Sequence, residues 1–142
     1  MIYSFGDVVL VDFPFSSNLG IKKRPAVIIS KTDFNNSKED IILLAITSKV
    51  DDLTTGEALI KNWKESGLVK PSAFKSVIFT VEKQYVDKTI GKLTKTDREA
   101  LIMWMAKNPD NPYVFKAIKD EPYEEALKIV KANTIQSNKP KN

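Results

Sequence analysis

The stretch Lys22-Lys23-Arg24-Pro25-Ala26-Val27-Ile28-Ile29-Ser30 joins three consecutive cations to a proline and an apolar run. The apolar run predicts a β-strand from Ala26 to Ser30, with the cations exposed before it. Two further strands are predicted nearby, at Val8 to Phe13 and at Asp40 to Thr47. The strands at Ala26 to Ser30 and at Asp40 to Thr47 are apolar almost throughout. Strands of this kind are commonly covered on both faces, as in a small closed barrel or at a dimer interface.

More short strands and one helix are predicted in the rest of the first two-thirds of the chain. Strands are expected at Glu57 to Ile60 and at Ser76 to Val81, and a turn at Thr32 to Ser37. A helix is expected near residues 95–107, with Thr94 or Thr96 as its N-cap. The fold class predicted from this order is mainly β with α, a small β-barrel closed by that helix.

The last quarter of the chain differs in character, so two regions are expected, at residues 1–108 and 109–142. The stretch Asn108-Pro109-Asp110-Asn111-Pro112 is typical of a linker. Pro122 to Asn133 predicts an amphipathic helix in a C-terminal extension that ends in a polar tail. We expect the apolar side of that helix to pack on the chain's own barrel.

Composition narrows the possible chemistry. The 142 residues are 42% hydrophobic and 28% charged, which is typical of one soluble globular core. The apolar runs are too short to cross a bilayer, and no secretory signal is visible, so a cytoplasmic location and no membrane association are expected. The chain has no cysteine and no histidine. Thiol chemistry, histidine catalysis and zinc-type ligand spacing are therefore absent from the sequence.

Cations and hydroxyls stand at predicted strand ends, where they would suit a phosphate. The net charge is +4, which by itself commonly reflects a solvated surface. The arginine of the basic run could bind phosphate oxygens through its planar fork. Thr47 ends the strand predicted at Asp40 to Thr47, Ser48 follows it, and both could add hydroxyl donors. The polar and cationic candidates for contact with a phosphate backbone are Lys22, Lys23, Ser48, Lys49, Lys70 and Lys75.

Five segments in order resemble the MazF/PemK-like toxins of bacterial toxin–antitoxin pairs. These segments, which together cover about residues 4 to 107, are Gly6-Asp7-Val8-Val9-Leu10-Val11-Asp12-Phe13-Pro14, Lys23-Arg24-Pro25-Ala26-Val27-Ile28-Ile29-Ser30, Ala45-Ile46-Thr47-Ser48, Gly67-Leu68-Val69-Lys70-Pro71-Ser72 and Ile90-Gly91-Lys92-Leu93. Strands of such composition are common, so each segment is weak evidence, but their order is fairly specific.

The resemblance implies an SH3-like barrel, a homodimer and an endoribonuclease that cleaves single-stranded RNA without a metal or another cofactor. It also implies neutralisation by a small antitoxin whose extended segment lies across the RNA groove. The family's catalytic pair, an arginine before a proline and a threonine ending the third strand, corresponds to Arg24 and Thr47. The six cationic and polar candidates above would then bind RNA.

The chemistry agrees with that implication. RNA can be cut when its own 2′-OH attacks the adjacent phosphorus, giving a 2′,3′-cyclic phosphate and a 5′-OH. Arg24 would stabilise the added negative charge, because donors placed where charge develops contribute about 3–4 kcal/mol each. The residue that carries the proton in this reaction is not assigned. Arginine is a poor base, and a carboxylate such as Asp12 or Glu82 is a candidate by elimination.

A second function is compatible with the same sequence. The chain could be a non-catalytic binding protein on this fold, either a CcdB-like gyrase poison or a member that only binds RNA or a partner. Phe74 and Phe79 are expected in the core rather than as base-stacking platforms, and Trp104 is expected in helix packing, with the dimer interface as one place for it. Trp63 could either pack beneath its loop or line a groove. The residues of the loops do not indicate which RNA sequence is cut.

Overall fold

One antiparallel sheet dominates the computed structural model, which describes residues 2–13, 22–51, 53 and 58–106. Within these ranges the chain forms six strands, two α-helices and one short 3₁₀ turn, Lys83–Tyr85. The sheet order is β4-β5-β3-β2-β1-β6. The strands are β1 (Asp7–Phe13), β2 (Lys22–Ile28), β3 (Asp40–Thr47), β4 (Ala58–Leu59), β5 (Ala73–Glu82) and β6 (Val86–Lys92), and the helices are α1 (Thr32–Ser37) and α2 (Lys95–Ala106).

Alternate side chains of the central strands point to opposite faces of the sheet and bury two apolar clusters. The first cluster lies under α2 and contains Val27, Leu44 and Phe74, together with Leu101 and Met105 of the helix. The second lies on the other face. Its buried members are Tyr3, Val9, Val11, Ala26, Ile28, Ile41 and Leu43. Both faces are therefore covered, as the apolar strands predicted.

Helix α2 is held to the segment before β5 by one buried carboxylate. The two oxygens of Asp97 accept the backbone N–H groups of Lys61 and Asn62, each at 2.8 Å. The Thr94 hydroxyl lies at the start of the helix, where it accepts the Asp97 N–H at 3.4 Å and donates to the Asp97 carboxylate at 3.3 Å. Thr94 is thus the N-cap, as one of the two sequence alternatives stated.

Two glycines allow the segment before β5 to touch β6. A Cβ on Gly67 would lie 2.1 Å from the carbonyl oxygen of Ile90, and a Cβ on Gly91 would lie 2.3 Å from that of Ser66. Gly67 also has a φ of +89°, a conformation that L-residues with side chains rarely adopt. The close backbone contact therefore requires glycine at both positions.

Several predicted elements are confirmed with different bounds. Strand β2 begins at Lys22 rather than Ala26, because the basic residues continue the ladder with β1, where Arg24 pairs with Val11. Strand β3 and helix α2 lie where the sequence indicated, whereas β5 extends from Ala73 to Glu82, beyond the predicted Ser76 to Val81. The expected strand from Glu57 to Ile60 is represented by the two residues of β4, since Glu57 lies outside the described residues.

The turn predicted at Thr32 to Ser37 is wrong, because these residues form helix α1. The helix is held by Asn35, which is buried and accepts a hydrogen bond from the Ser30 hydroxyl. The Asn35 amide donates to the carbonyl oxygens of Tyr3 and Ser30, at 2.9 and 3.0 Å. Lys83 Nζ donates to the Asn35 carbonyl oxygen at 2.8 Å. Tertiary hydrogen bonds therefore stabilise a polar segment that lacks helical apolar spacing.

The mainly β architecture with helices is confirmed, but the hydrogen-bonded sheet is open. Among the described strands, no pairing joins β6 to β4 or β5. The three residues Lys83–Tyr85 nevertheless connect β5 to β6, which lies beyond β3, β2 and β1 in the sheet. The sheet must therefore coil so that its opposite sides approach each other at this connection.

The expected linker, the C-terminal helix at Pro122 to Asn133 and the loop after Pro14 lie outside the described residues. The division into regions 1–108 and 109–142 stays a prediction for the same reason. In the described part of the chain, no helix has both the length and the apolar character needed to span a membrane.

Candidate functional site

A groove of about 770 Å³ lies where β2, β3 and β5 come together. Eight of its lining residues are the polar and cationic site residues that the sequence singled out: Lys22, Lys23, Arg24, Thr47, Ser48, Lys49, Lys70 and Lys75. Other lining residues come from the same strand ends and from the segment that leads into β5, including Leu68, Val69 and Ser72. Segments far apart in the sequence therefore contribute to one surface.

Arg24 and Thr47 are brought together by the register of β2 with β3. The β2–β3 ladder pairs Ile28 with Leu43 and Ala26 with Ala45. The ladder ends at this Ala26–Ala45 pair; continued for two more residues, the same register would set Arg24 opposite Thr47. Opposite residues of an antiparallel pair point to the same face of the sheet. The guanidinium and the hydroxyl therefore extend from one face into one groove, on the side of the sheet that carries the second apolar cluster.

The Thr47 hydroxyl is oriented by its own chain. Its oxygen accepts the backbone N–H of Lys49 at 3.1 Å. This bond uses a lone pair of the oxygen, so the hydroxyl proton remains a donor for an acceptor in the groove. A phosphate oxygen held by Arg24 would be such an acceptor.

Charge in the groove is of one sign. Six of the lining residues are cationic, and no aspartate or glutamate of the described chain lines it. A concave surface with this charge attracts polyanions and makes their binding dependent on salt. The lining also includes apolar side chains, which favour a ligand with apolar as well as charged parts.

Lys23 differs from the other cations because it already has acidic partners. Its ammonium lies 2.8 Å from an Asp87 carboxylate oxygen and 3.6 Å from Asp12 Oδ1. The hydrogen bond with Asp87 is the main cause that raises the pKa of Lys23. Asp12 Oδ1 is buried, and the longer distance to Lys23 leaves it without a hydrogen bond. Lys23 therefore lies at the groove with its charge partly neutralised.

Neither carboxylate considered as a proton carrier lines the groove. Asp12 is in register with Lys23, and neighbouring Val11 is in register with Arg24, so Asp12 and Arg24 point to opposite faces of the sheet. Glu82 pairs with Asp40, at the opposite end of β3 from Thr47. The arrangement thus supports charge stabilisation by Arg24 and assigns no base.

The aromatic residues divide between core and groove. Phe74 is fully buried in the first cluster, and Trp104 packs there too, as expected. Trp63 packs against the same cluster and does not line the groove, which decides between its two alternatives. Phe79 packs against the second cluster and also lines the groove. The sequence analysis favoured the core over base stacking for Phe79, although the alternation Lys75, Val77, Phe79 was a signal for its contact with the groove.

The described side chains form no cluster of metal ligands. Across residues 2–13, 22–51, 53 and 58–106, no group of three or more histidine, cysteine, aspartate or glutamate side chains could hold a metal ion.

The sequence family agrees with this fold and groove. The family described as "PemK-like, MazF-like toxin of type II toxin-antitoxin system" matches residues 4–107 of the chain. The match covers well over half of the 142 residues, and the chain belongs to this toxin family. No curated protein sequence matches the chain.

Solved structures of toxins share the fold at low sequence identity. A mycobacterial endoribonuclease in complex with its cognate antitoxin is 16% identical with a TM-score of 0.61, over 77% of this chain and 96% of that one. The toxin MazF-mt6 of Mycobacterium tuberculosis is 19% identical with a TM-score of 0.59, over 73% and 96%. MazF in the MazE–MazF structure of Deinococcus radiodurans is 11% identical with a TM-score of 0.61, over 78% and 97%. Identities this low establish similarity of fold alone.

Proposed function

We propose that the chain is a metal-independent endoribonuclease toxin that cuts single-stranded RNA, with mRNA as its cellular substrate. The observation that carries the proposal is that Arg24 and Thr47 line one groove together with five further cations and no described carboxylate. Membership of the toxin family supports the same activity. The RNA backbone around this pair is bound by Lys22, Lys23, Ser48, Lys49, Lys70 and Lys75.

In the proposed reaction the 2′-oxygen of one nucleotide bonds to the adjacent phosphorus, and the bond from phosphorus to the 5′-oxygen breaks. The 2′-OH gives up its proton, the departing 5′-oxygen gains one, and the ends are a 2′,3′-cyclic phosphate and a 5′-OH. Arg24 donates two hydrogen bonds to the phosphate oxygens as their charge increases, and Thr47 donates a third. The RNA supplies its own nucleophile, so the reaction needs no metal-bound water.

The partners and assembly belong to the same proposal. One similar structure is an endoribonuclease in complex with its cognate antitoxin and another is a MazE–MazF complex, which supports a small antitoxin as partner of this chain. A homodimer, a cytoplasmic location and an SH3-like closure of the sheet are proposed from the family. The short connection between β5 and β6 supports that closure, because it brings the two sides of the sheet together.

The proposal is tested with purified protein and end-labelled single-stranded RNA in EDTA. Wild type should cut it and leave cyclic phosphate and 5′-OH ends. Arg24→Ala should lose most of the cleavage rate. Arg24→Lys should lose more of the cleavage rate than of the RNA affinity, because lysine keeps the positive charge but not the planar guanidinium. Lys88→Ala is the matched control, since Lys88 is exposed on β6 and does not line the groove.

Two results would contradict the proposal. One is full cutting by Arg24→Ala. The other is tight RNA binding by wild type with no cutting under any ionic condition, which would favour the non-catalytic binding protein instead.

A further inference from the structure

The pairing of β3 with β5 is interrupted two residues before Thr47, which lines the groove. Ile46 pairs with Phe74 and Leu44 with Ile78, so the single residue Ala45 faces three residues of β5. A bulge of this kind bends the strand and redirects its side chains. Ala45 lines the groove next to this bulge.

The bulged strand presents a cation followed by two apolar side chains. Lys75, Val77 and Phe79 all line the groove, which is consistent with the two-residue period of a strand. Beginning near Thr47, whose ladder partner is Ala73, the groove therefore changes from cationic at Lys75 to apolar at Val77 and Phe79.

The apolar part is accessible to a ligand. Val77 is 45% exposed, although it is a large apolar residue inside a basic groove. Phe79 is half-buried, because it packs against the second cluster while it lines the groove. The cations around it select a polyanion, and the apolar surface suits a part of that polyanion that is flat and uncharged. An unstacked nucleobase of a single strand meets both requirements.

We propose that Val77 and Phe79 form a base-binding subsite for one nucleobase that flanks the phosphate held by Arg24 and Thr47. This inference rests on the proposed function, since it names the part of the RNA that this groove reads. The subsite makes Val77 and Phe79 specificity-determining residues, because a stacked base adds affinity that phosphate contacts alone do not supply. Base preference at one position beside the cut follows from the shape of this surface.

The test compares two short single-stranded oligonucleotides with the same number of phosphates. One has 2′-deoxy sugars and mixed bases, and the other is abasic. Neither can be cut by 2′-OH attack, so fluorescence anisotropy measures binding only. Phe79→Leu keeps an apolar side chain without the aromatic face. Val77→Thr keeps the shape of the side chain but replaces a methyl group with a hydroxyl. Because Val77 is exposed, this change should leave the fold intact.

Both variants should bind the base-bearing oligonucleotide more weakly and the abasic one as well as wild type does. The expected loss for Phe79→Leu is about 5- to 150-fold, the range for stacking of one base. Val81→Ala is the matched control, since Val81 packs against the same cluster from the same strand and lies outside the groove. It should change neither affinity.

A second measurement uses a pool of random single-stranded RNA and sequencing of the cut ends. Phe79→Leu and Val77→Thr should relax the base preference at one position beside the cut. If the two variants bound both oligonucleotides equally more weakly, or left the base preference unchanged, the subsite would be overturned. Base-dependent binding that both variants weaken, in a wild-type protein that cuts no RNA, would support the subsite and overturn the proposed nuclease. Failure of wild type to bind either oligonucleotide would overturn both.

Discussion

Lys23 Nζ lies 2.8 Å from a carboxylate oxygen of Asp87, so the middle cation of the basic run reaches the groove already paired. Its neighbour in the run, Arg24, lines the groove from the opposite face of β2, together with Lys49 beyond the end of β3. The cations of the groove are therefore unequal in what they can offer a polyanion.

Lys49→Ala is expected to reduce the salt dependence of binding to a single-stranded oligonucleotide more than Lys23→Ala does. Each phosphate contact contributes about 0.7 to the slope of log affinity against log salt for single strands. Lys49→Ala should lower the slope by about that amount. Lys23→Ala should lower it less, because Asp87 and Asp12 already neutralise part of its charge. Titrations at several salt concentrations measure the slopes. An equal decrease in slope for the two variants would contradict the prediction.

Thr47→Val should lower the rate of RNA cutting by about 100-fold, whereas Thr47→Ser should retain most of it. Valine has nearly the shape of threonine but removes the donor, and loss of one donor to developing charge has about this effect. Serine keeps both the donor and the oxygen that accepts the Lys49 N–H. Single-turnover cleavage measures the rates. A fast Thr47→Val variant would show that the hydroxyl takes no part.

Gly67→Ala should lower the free energy of unfolding by at least about 3 kcal/mol, through backbone overlap and an unfavourable φ. Gly6→Ala is the matched control. Gly6 has a similar φ of +88°, but its added Cβ would meet the flexible Arg98 side chain at 3.4 Å rather than backbone. Its expected cost is about 1–2 kcal/mol. Urea denaturation gives both values, and equal losses would show that φ alone matters.

Asp97→Ala should destabilise the protein by about 3 kcal/mol, because it removes the acceptor of two backbone N–H groups. Glu99→Gln on the same helix is the control, since Glu99 is exposed, and it should change stability by less than about 0.5 kcal/mol. Urea denaturation of both variants checks the difference. A mild effect of Asp97→Ala would mean that water replaces the carboxylate.

Asp7→Asn should gain stability relative to wild type as the pH rises above about 4. Burial raises the pKa of Asp7 from its ordinary value of 3.8, against the opposing effects of the Ser4 N–H and Lys92. The folded chain therefore binds this proton more readily than the unfolded chain. Its contribution to stability falls as the pH increases from 3.8 through the raised pKa, and it is constant above that.

Asparagine removes this titration and keeps an oxygen that can accept the Ser4 N–H. Melting temperatures of Asp7→Asn and wild type between about pH 4 and pH 7 give the difference, with Asp33→Asn, an exposed carboxylate, as the control. A difference that is flat or opposite in sign would contradict the burial effect.

Local patterns in the sequence were sufficient for much of the fold. The apolar run of β3 and the capping threonine of α2 were readable because their causes lie within a few residues. Helix α1 was not, because Asn35 is held by Tyr3, Ser30 and Lys83, which the sequence does not show to be neighbours. The start of β2 was misplaced because pairing with β1 places cations in the strand.

The candidate site could be predicted in part for the same reason. Strand ends carry Arg24 and Thr47, and alternation along a strand fixes which side chains share a face. The pairing of Lys23 with Asp87 and the groove contact of Phe79 depend on partners from other strands. Their roles in binding and catalysis stay predictions that the experiments above address.

Strand β1 pairs with β2 on one side and with β6 on the other, and these two partners lie near opposite ends of the described chain. The β1–β6 contact therefore closes a much larger loop than β1–β2, and its entropic cost delays it in folding. During synthesis, one side of β1 stays unsatisfied until β6 has left the ribosome. In pulse-labelled refolding, the amides that β1 shares with β6 should gain protection from exchange later than those between β2 and β3.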